Sequence, residues 1–470
     1  MQNRRVPEAR ARLQHPETLL LAAVRAAPRR FRMPPLPADA DAAASIGVDA
    51  ALAFALEAAR AVQEHGSTMP ARVEDFFAHA LAGLIRRAVA SEGGDPAFQA
   101  LVLQAQSVEV REHVRLTAQL ASDRRAVRAI TDAIGHPGKL RDMPAGATRD
   151  ALARLRRLAA EDAWTELAAA IGQPLAQDIN TTAGQQVPSL LEGLRSSPAL
   201  QRLAHGSALL RNEAVQHYLR LSERRGPLAG TDAAAASGRA SARLGEQAEH
   251  ATGQALGAIA ELLNRHREPG AAYRVVRSLR PPRGFPGETN KAKDEWDAAI
   301  VRSGQDGGAD EIVLLAEIKA SPAAATSDFP RLLRGLRRLA HADPGQTYAF
   351  ASATGQAQVA GTSLRRLQPH GHSLPPHVIY CCSAPAESHP PFLSAATKAV
   401  LLGEPASLAS ACRLARGEAP PDSDLLAVWH ALPKEPRLRS ALYQYETAKR
   451  VREAMVHPLD LLSAMGDGPA

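Results

Sequence analysis

Asp297, Glu317 and Lys319 are the residues of this chain whose types and spacing point to chemistry. Asp297 interrupts the apolar run Trp296 to Val301, and Glu317 and Lys319 interrupt a second run made by Ile312, Val313, Leu314, Leu315, Ala316 and Ile318. In an extended segment, residues two apart leave the same face, so Glu317 and Lys319 share one side of their strand. An almost continuous apolar run is the pattern of a strand buried on both faces. Charges there are unfavourable unless a metal or partner charges compensate them. Antiparallel pairing of the two runs would set Asp297 beside Glu317. Two carboxylates, with a backbone carbonyl and waters, suit Mg²⁺ or Mn²⁺ better than zinc. Such an ion polarises a phosphodiester oxygen and lowers the pKa of a bound water, and Lys319 could orient that water or stabilise the developing negative charge. Two structural alternatives stand beside this reading: Asp297 as a strand-end acid in an ordinary hydrogen bond, and Glu317 with Lys319 as a same-face pair on an exposed edge strand.

The elements that must position these residues follow an α/β order. ARLGEQAEHATGQALGAIAELLNRHR reads as a long helix with Leu256, Ile259, Leu262 and Leu263 available for its buried face. AYRVVRSLR, EWDAAIV and EIVLLAEIKAS follow as strands, with loops short enough for a meander; a basic helix around FPRLLRGLRRLAHA then permits a crossover to QTYAFASA and HVIYCCSA. Residues 1 to about 230 carry helical periodicity instead, as in ARVEDFFAHALAGLIRRAVA, where Val73, Phe76, Phe77, Leu81, Leu84 and Ile85 form one stripe. Three more such segments, beginning DPAFQ, TRDAL and SSPAL, start near Asp, Thr or Ser and are separated by Gly or Pro. The stretch 226 to 242, rich in Gly, Ser and Ala without large apolar residues, reads as a linker. The expected division is an all-α region over 1–230, an α/β domain over 243–400 and a helical tail over 401–470.

This arrangement resembles the PD-(D/E)xK nuclease superfamily, whose core is a helix, three meandering strands, a helix and a further strand; the resemblance covers residues 243–383. It implies a restriction-endonuclease-like core in which Asp297 is the metal-binding Asp, Glu317 the following acid and Lys319 the Lys. An acidic residue of the first helix often completes the site, which the resemblance places at Glu249 in GEQAEH, with Glu246 as second choice. No Pro precedes Asp297, a departure shared by many members. The implied activity is Mg²⁺-dependent hydrolysis of DNA in defence or repair, with Asp297, Glu317 and Glu249 holding metal. Because the superfamily includes members that have lost catalysis, a non-catalytic nucleic-acid-binding or scaffold protein is the alternative.

The remaining signals are weaker. Over 470 residues the net charge is +7, which fits a polyanion partner and equally a solvated basic surface. Arg331, Arg334, Arg337 and Arg338, on the helix after the Glu317 strand, are the candidates for phosphate contacts. Lys291 and Lys293 read as a solvated loop or, second, as phosphate neighbours. Cys381, Cys382 and Cys412 offer neither a disulfide framework nor CxxC spacing, and His370, His372 and His377 lie in a Pro-rich loop without an acidic or thiol partner for zinc. No Walker, GxGxxG or GxSxG motif is present. No segment approaches the roughly 20 apolar residues of a membrane span, and the basic beginning of the chain lacks a signal-peptide core. A cytoplasmic setting without membrane contact is expected, with the helical N-terminal region available for a protein partner.

Overall fold

The structure, a computed structural model, describes residues 15–66, 72–172, 186–226, 232–267, 269–304 and 308–466. It is mixed α/β and divides into two compact units. Its breaks fall after residues 84, 231, 401 and 421, so the segments group differently from the expected three regions. One unit gathers residues 1–84, 232–401 and 422–470, and the other gathers 85–231 with 402–421. Helices near the start of the chain thus belong with the sheet, because their apolar faces are needed to cover it.

The sheet unit is built on five strands: β1 (Ala272–Leu279), β2 (Trp296–Ser303), β3 (Glu311–Lys319), β6 (Val378–Cys382) and β7 (Met455–Val456), in that spatial order. β1 pairs with β2 and β2 with β3 in antiparallel fashion; β6 joins β3 in parallel, and β7 joins β6 in parallel. The helices that cover the sheet are α1 (Pro16–Ala26), α2 (Asp232–Arg265), α3 (Pro322–Leu339), α4 (Gln444–Glu453) and α5 (Pro458–Gly466). One face packs Val276, Ala299, Leu315, Val378 and Tyr380 against Phe329, Leu332, Leu333 and Leu336 of α3. The other packs Ala298, Ile300, Leu314, Ala316, Ile318 and Cys381 against α1, α2 and α5, through Leu20, Val24, Leu256, Ile259, Leu263 and Leu461. Both faces are covered, which is why β3 reads as a nearly unbroken apolar run.

Several elements differ from the sequence reading. Residues 232–242, expected as linker, form the first turns of α2, while 227–231 lie outside the described residues. Ala is the strongest helix former, and these turns are exposed, so they need no large apolar residue. QTYAFASA becomes β4 (Thr347–Ser352), which leaves the main sheet and pairs with β5 (Gly355–Ala360) in a hairpin.

The early and late parts of the sheet unit are tied together. Arg30 bonds Asp460 with both branches of its guanidinium, the Tyr445 hydroxyl donates to the Pro34 carbonyl at 2.7 Å, and Arg452 donates to the Phe31 carbonyl at 3.1 Å. In the other unit the described residues form helices without a strand. Its core joins Val127, Leu152, Trp164, Leu167 and Leu203. The segment beginning DPAFQ is not one helix: Ser107 ends Pro96–Gln106 and caps Val108–Thr117 by accepting from the Val110 N–H at 3.2 Å. Among the described residues no helix is long and apolar enough to cross a membrane.

Candidate functional site

The register of β2 and β3 brings the site together. Ala298 pairs with Ala316, so the next residues outward, Asp297 and Glu317, lie opposite one another. Further along, Ile300 pairs with Leu314 and Val301 with Ile312, leaving Val313 as an extra residue on β3. This bulge resets which residues face α3: Ile312 and Leu315 both do, and Glu317 and Lys319 follow Leu315 at intervals of two. The two acids and Lys319 therefore share the α3 face of the sheet.

Two further charged residues complete the cluster. Lys293, from the loop before β2, donates to Glu317 Oε2 and stands 3.6 Å from Asp297 Oδ1. Asp328, in the second turn of α3, stands 3.2 Å from the Lys319 ammonium, which is itself 3.7 Å from Glu317. Lys293 reaches this position because α3 presents Gly335 to its backbone; a Cβ there would lie 2.8 Å from Lys293 Cβ. The expectation of a solvated loop at Lys293 is thus overturned, since this residue is buried. The cluster is graded in depth: the Glu317 side chain is 0% exposed, Lys293 7%, Asp328 15%, Lys319 17% and Asp297 25%.

Burial pushes the Glu317 carboxyl up to about 8, and the nearby Asp297 charge adds to the effect, while Lys293 and Lys319 pull it down by less. The Lys293 ammonium is held above its usual value because the three acids outweigh its own desolvation. Glu317 is fully buried and Lys293 keeps Asp297 and Asp328 as charged neighbours when Glu317 is protonated. Tyr380, paired with Glu317 across β3 and β6, is also buried beside the acids: its phenol is pushed above its usual value by burial, then by Asp328, Glu317 and Asp297. Two polar atoms of the cluster, Glu317 Oε1 and the Tyr380 hydroxyl, are buried without a hydrogen-bond partner, while Asp328 Oδ2 has the Lys319 ammonium as its ionic neighbour.

Asp297 has a structural duty as well: its Oδ2 accepts from the Ile318 N–H at 2.7 Å, continuing the ladder from β2 to β3. Glu249 does not join the cluster. It sits on the exposed side of α2, whose buried side, marked by Ala248, Leu256 and Ile259, packs on the opposite face of the sheet from α3. The second choice, Glu246, is exposed on the same helix.

The four arginines divide. Arg334 and Arg337 are exposed, donating to the Lys291 carbonyl at 2.9 Å and the Gly371 carbonyl at 2.7 Å. Arg331 is exposed and pairs with Asp294 at 3.2 Å. Arg338 is buried with its guanidinium 5.6 Å from the Phe285 ring, so it is withdrawn from any phosphate. The histidines of the Pro-rich loop do not assemble a metal site; among the described residues, no group of three or more His, Cys, Asp or Glu side chains is arranged to hold an ion.

Sequence reasoning missed Lys293, Asp328 and Tyr380 as members of the cluster. Tyr380 had a usable signal, an aromatic hydroxyl inside the apolar run HVIYCC. Comparison with protein-family models, with curated proteins and with solved structures finds no match to this chain.

Proposed function

We propose that this chain is a metal-dependent nuclease acting on DNA, with a restriction-endonuclease-like core formed by α2, β1, β2, β3, α3 and β6. The observation that carries the reading is the convergence of Asp297, Glu317 and Lys319 on one face of a buried sheet. The order of a helix, an antiparallel three-strand meander, a crossover helix and a parallel fourth strand supports it. The donor chemistry fits a hard divalent cation: the neighbouring carboxylates are oxygen ligands, and Glu317 Oε1 is buried without a partner. Asp297 and Glu317 would hold Mg²⁺ or Mn²⁺ as a pair, without Glu249. Bound there, the ion would supply Lewis acidity toward a phosphodiester oxygen and a more acidic water. Lys319 orients the attacking water and stabilises negative charge on the phosphate oxygens, and Asp328 fixes the direction of its ammonium. Asp297 keeps β2 and β3 in register while presenting its second oxygen.

A second reading rests on Lys293. Its ammonium lies between Asp297 and Glu317 and supplies compensating charge itself, as expected of a non-catalytic nucleic-acid-binding or scaffold protein with a degenerate core. One experiment separates the two. The nuclease reading expects DNA cutting with Mn²⁺ that Lys319→Ala abolishes without lowering the melting temperature. It also expects a Mn²⁺-dependent rise in melting temperature that Asp297→Asn removes. No cutting and no thermal shift at millimolar Mn²⁺ would favour the second reading.

A further inference from the structure

A cleft of about 440 Å³ opens between α3 and the helical segment around α4, within the size range of sites that hold small ligands, roughly 300 to 1,000 Å³. Its floor is apolar, from Phe329, Pro330 and Leu333 of α3. Its rim is cationic, and the charges are held in place. Arg334 and Arg337 are fixed by the backbone carbonyls described above, and the Arg439 guanidinium lies 5.6 Å from the Tyr443 ring. None of these three arginines has a carboxylate partner among the described residues. The two acids at the rim are already engaged, Glu64 by Arg60 and Glu446 by Arg450 at 2.6 Å. The basicity of His372 at the same rim is lowered by its partial burial and then by Arg450, Arg337 and Arg439, against an opposing effect of Glu64. An apolar floor under unpaired guanidinium groups suits a ligand with one flat apolar part and one anionic part.

We infer that this cleft binds a nucleotide unit of single-stranded DNA, with its phosphates on Arg334, Arg337 and Arg439 and its base over the Phe329 and Leu333 floor. The choice of DNA rests on the nuclease reading above. Single-stranded form follows from the floor: a base inside a duplex shows only its edges, whereas an unstacked base offers a face to apolar and aromatic side chains. A strand is favoured over a free nucleotide because the guanidinium groups line the cleft from two separate segments, α3 and residue 439, and can meet more than one phosphate.

The test is fluorescence anisotropy of a labelled single-stranded oligodeoxynucleotide of about 12 nucleotides, a length suited to such sites, in EDTA so that nothing is cut. Arg334→Ala and Arg439→Ala should each weaken binding about tenfold, as expected for a lost charge-assisted contact. Each should also flatten the dependence of log affinity on log salt by about 0.7. Arg125→Ala, exposed in the helical unit, should change neither, and all three variants should keep the wild-type melting temperature. Unchanged affinity in both cleft variants, no binding by the wild type, or binding of duplex or free AMP with the single strand ignored would overturn the inference. Tight, cleft-dependent binding without cutting in Mn²⁺ would leave it standing while refuting the nuclease reading.

Discussion

Replacing Glu317 by Gln tests the electrostatics of the cluster with little change of volume. The carboxyl is fully buried and its pKa stands at about 8, against 4.5 when unperturbed. Because the folded value is the higher one, the stability linked to this group is fully present below pH 4.5, where folded and unfolded chains are both protonated. It falls as pH rises, since the unfolded chain releases the proton first, and the loss ends near pH 8. Each pH unit in that window is worth about 1.4 kcal/mol, so the whole window amounts to on the order of 5 kcal/mol. Gln carries no such titration. Glu317→Gln should therefore gain on the wild type steadily from pH 5 to pH 8, whatever constant offset the lost bond to Lys293 introduces. Urea unfolding of both proteins at pH 5, 6.5 and 8 measures the difference. A stability difference that is flat across this range would refute the assignment of a buried, largely protonated Glu317.

Two other substitutions probe the same cluster. Lys293→Met removes the ammonium that bonds Glu317 while keeping the length of the side chain, and should destabilise the sheet unit by about 1 to 3 kcal/mol, the cost of leaving a buried hydrogen-bonding group without its partner; a loss below about 0.5 kcal/mol by the same unfolding assay would mean that Lys293 is not buried against the acids. Gly335→Ala places a methyl group 2.8 Å from Lys293 Cβ, and overpacking of this kind costs about 1 to 3 kcal/mol, read as a fall in melting temperature. The Ala variant should also lose much of the effect of a subsequent Lys293→Met change, because the ammonium has already been displaced. Additive losses would count against that coupling.

What the sequence made legible was set by how local the signal is. β2 and β3 stand out because burial on both faces requires apolar runs, and the charges of Asp297, Glu317 and Lys319 are conspicuous against them. Lys293 and Asp328 could not be assigned in this way: they reach Glu317 from a loop and from the crossover helix, and no short-range pattern encodes that approach. Glu249 was misplaced for a related reason, since helical spacing says which side of α2 is buried but not which face of the sheet it covers. β5 and β7 were missed because GQAQVA alternates weakly and Met455–Val456 sits inside a stretch with helical pattern. Arg338 looked like its neighbours in a basic run, yet lies on the side of α3 that turns inward toward Phe285.

The ties between the start and the end of the sheet unit have a consequence for synthesis. A ribosome delivers Leu20, Val24 and Phe31 early, but their partners around Tyr445, Arg452 and Asp460 emerge more than 400 residues later. Until then this early segment has no completed surface to settle on, and its apolar side chains stay open to solvent or to other chains. The sheet gains its last strand, β7, only at the same late moment. Maturation of this unit is therefore governed by long-range closure, the slow and aggregation-exposed regime of folding. Its nascent form should depend on protection by chaperones far more than the helical unit, whose main core is drawn from residues between Val127 and Leu203.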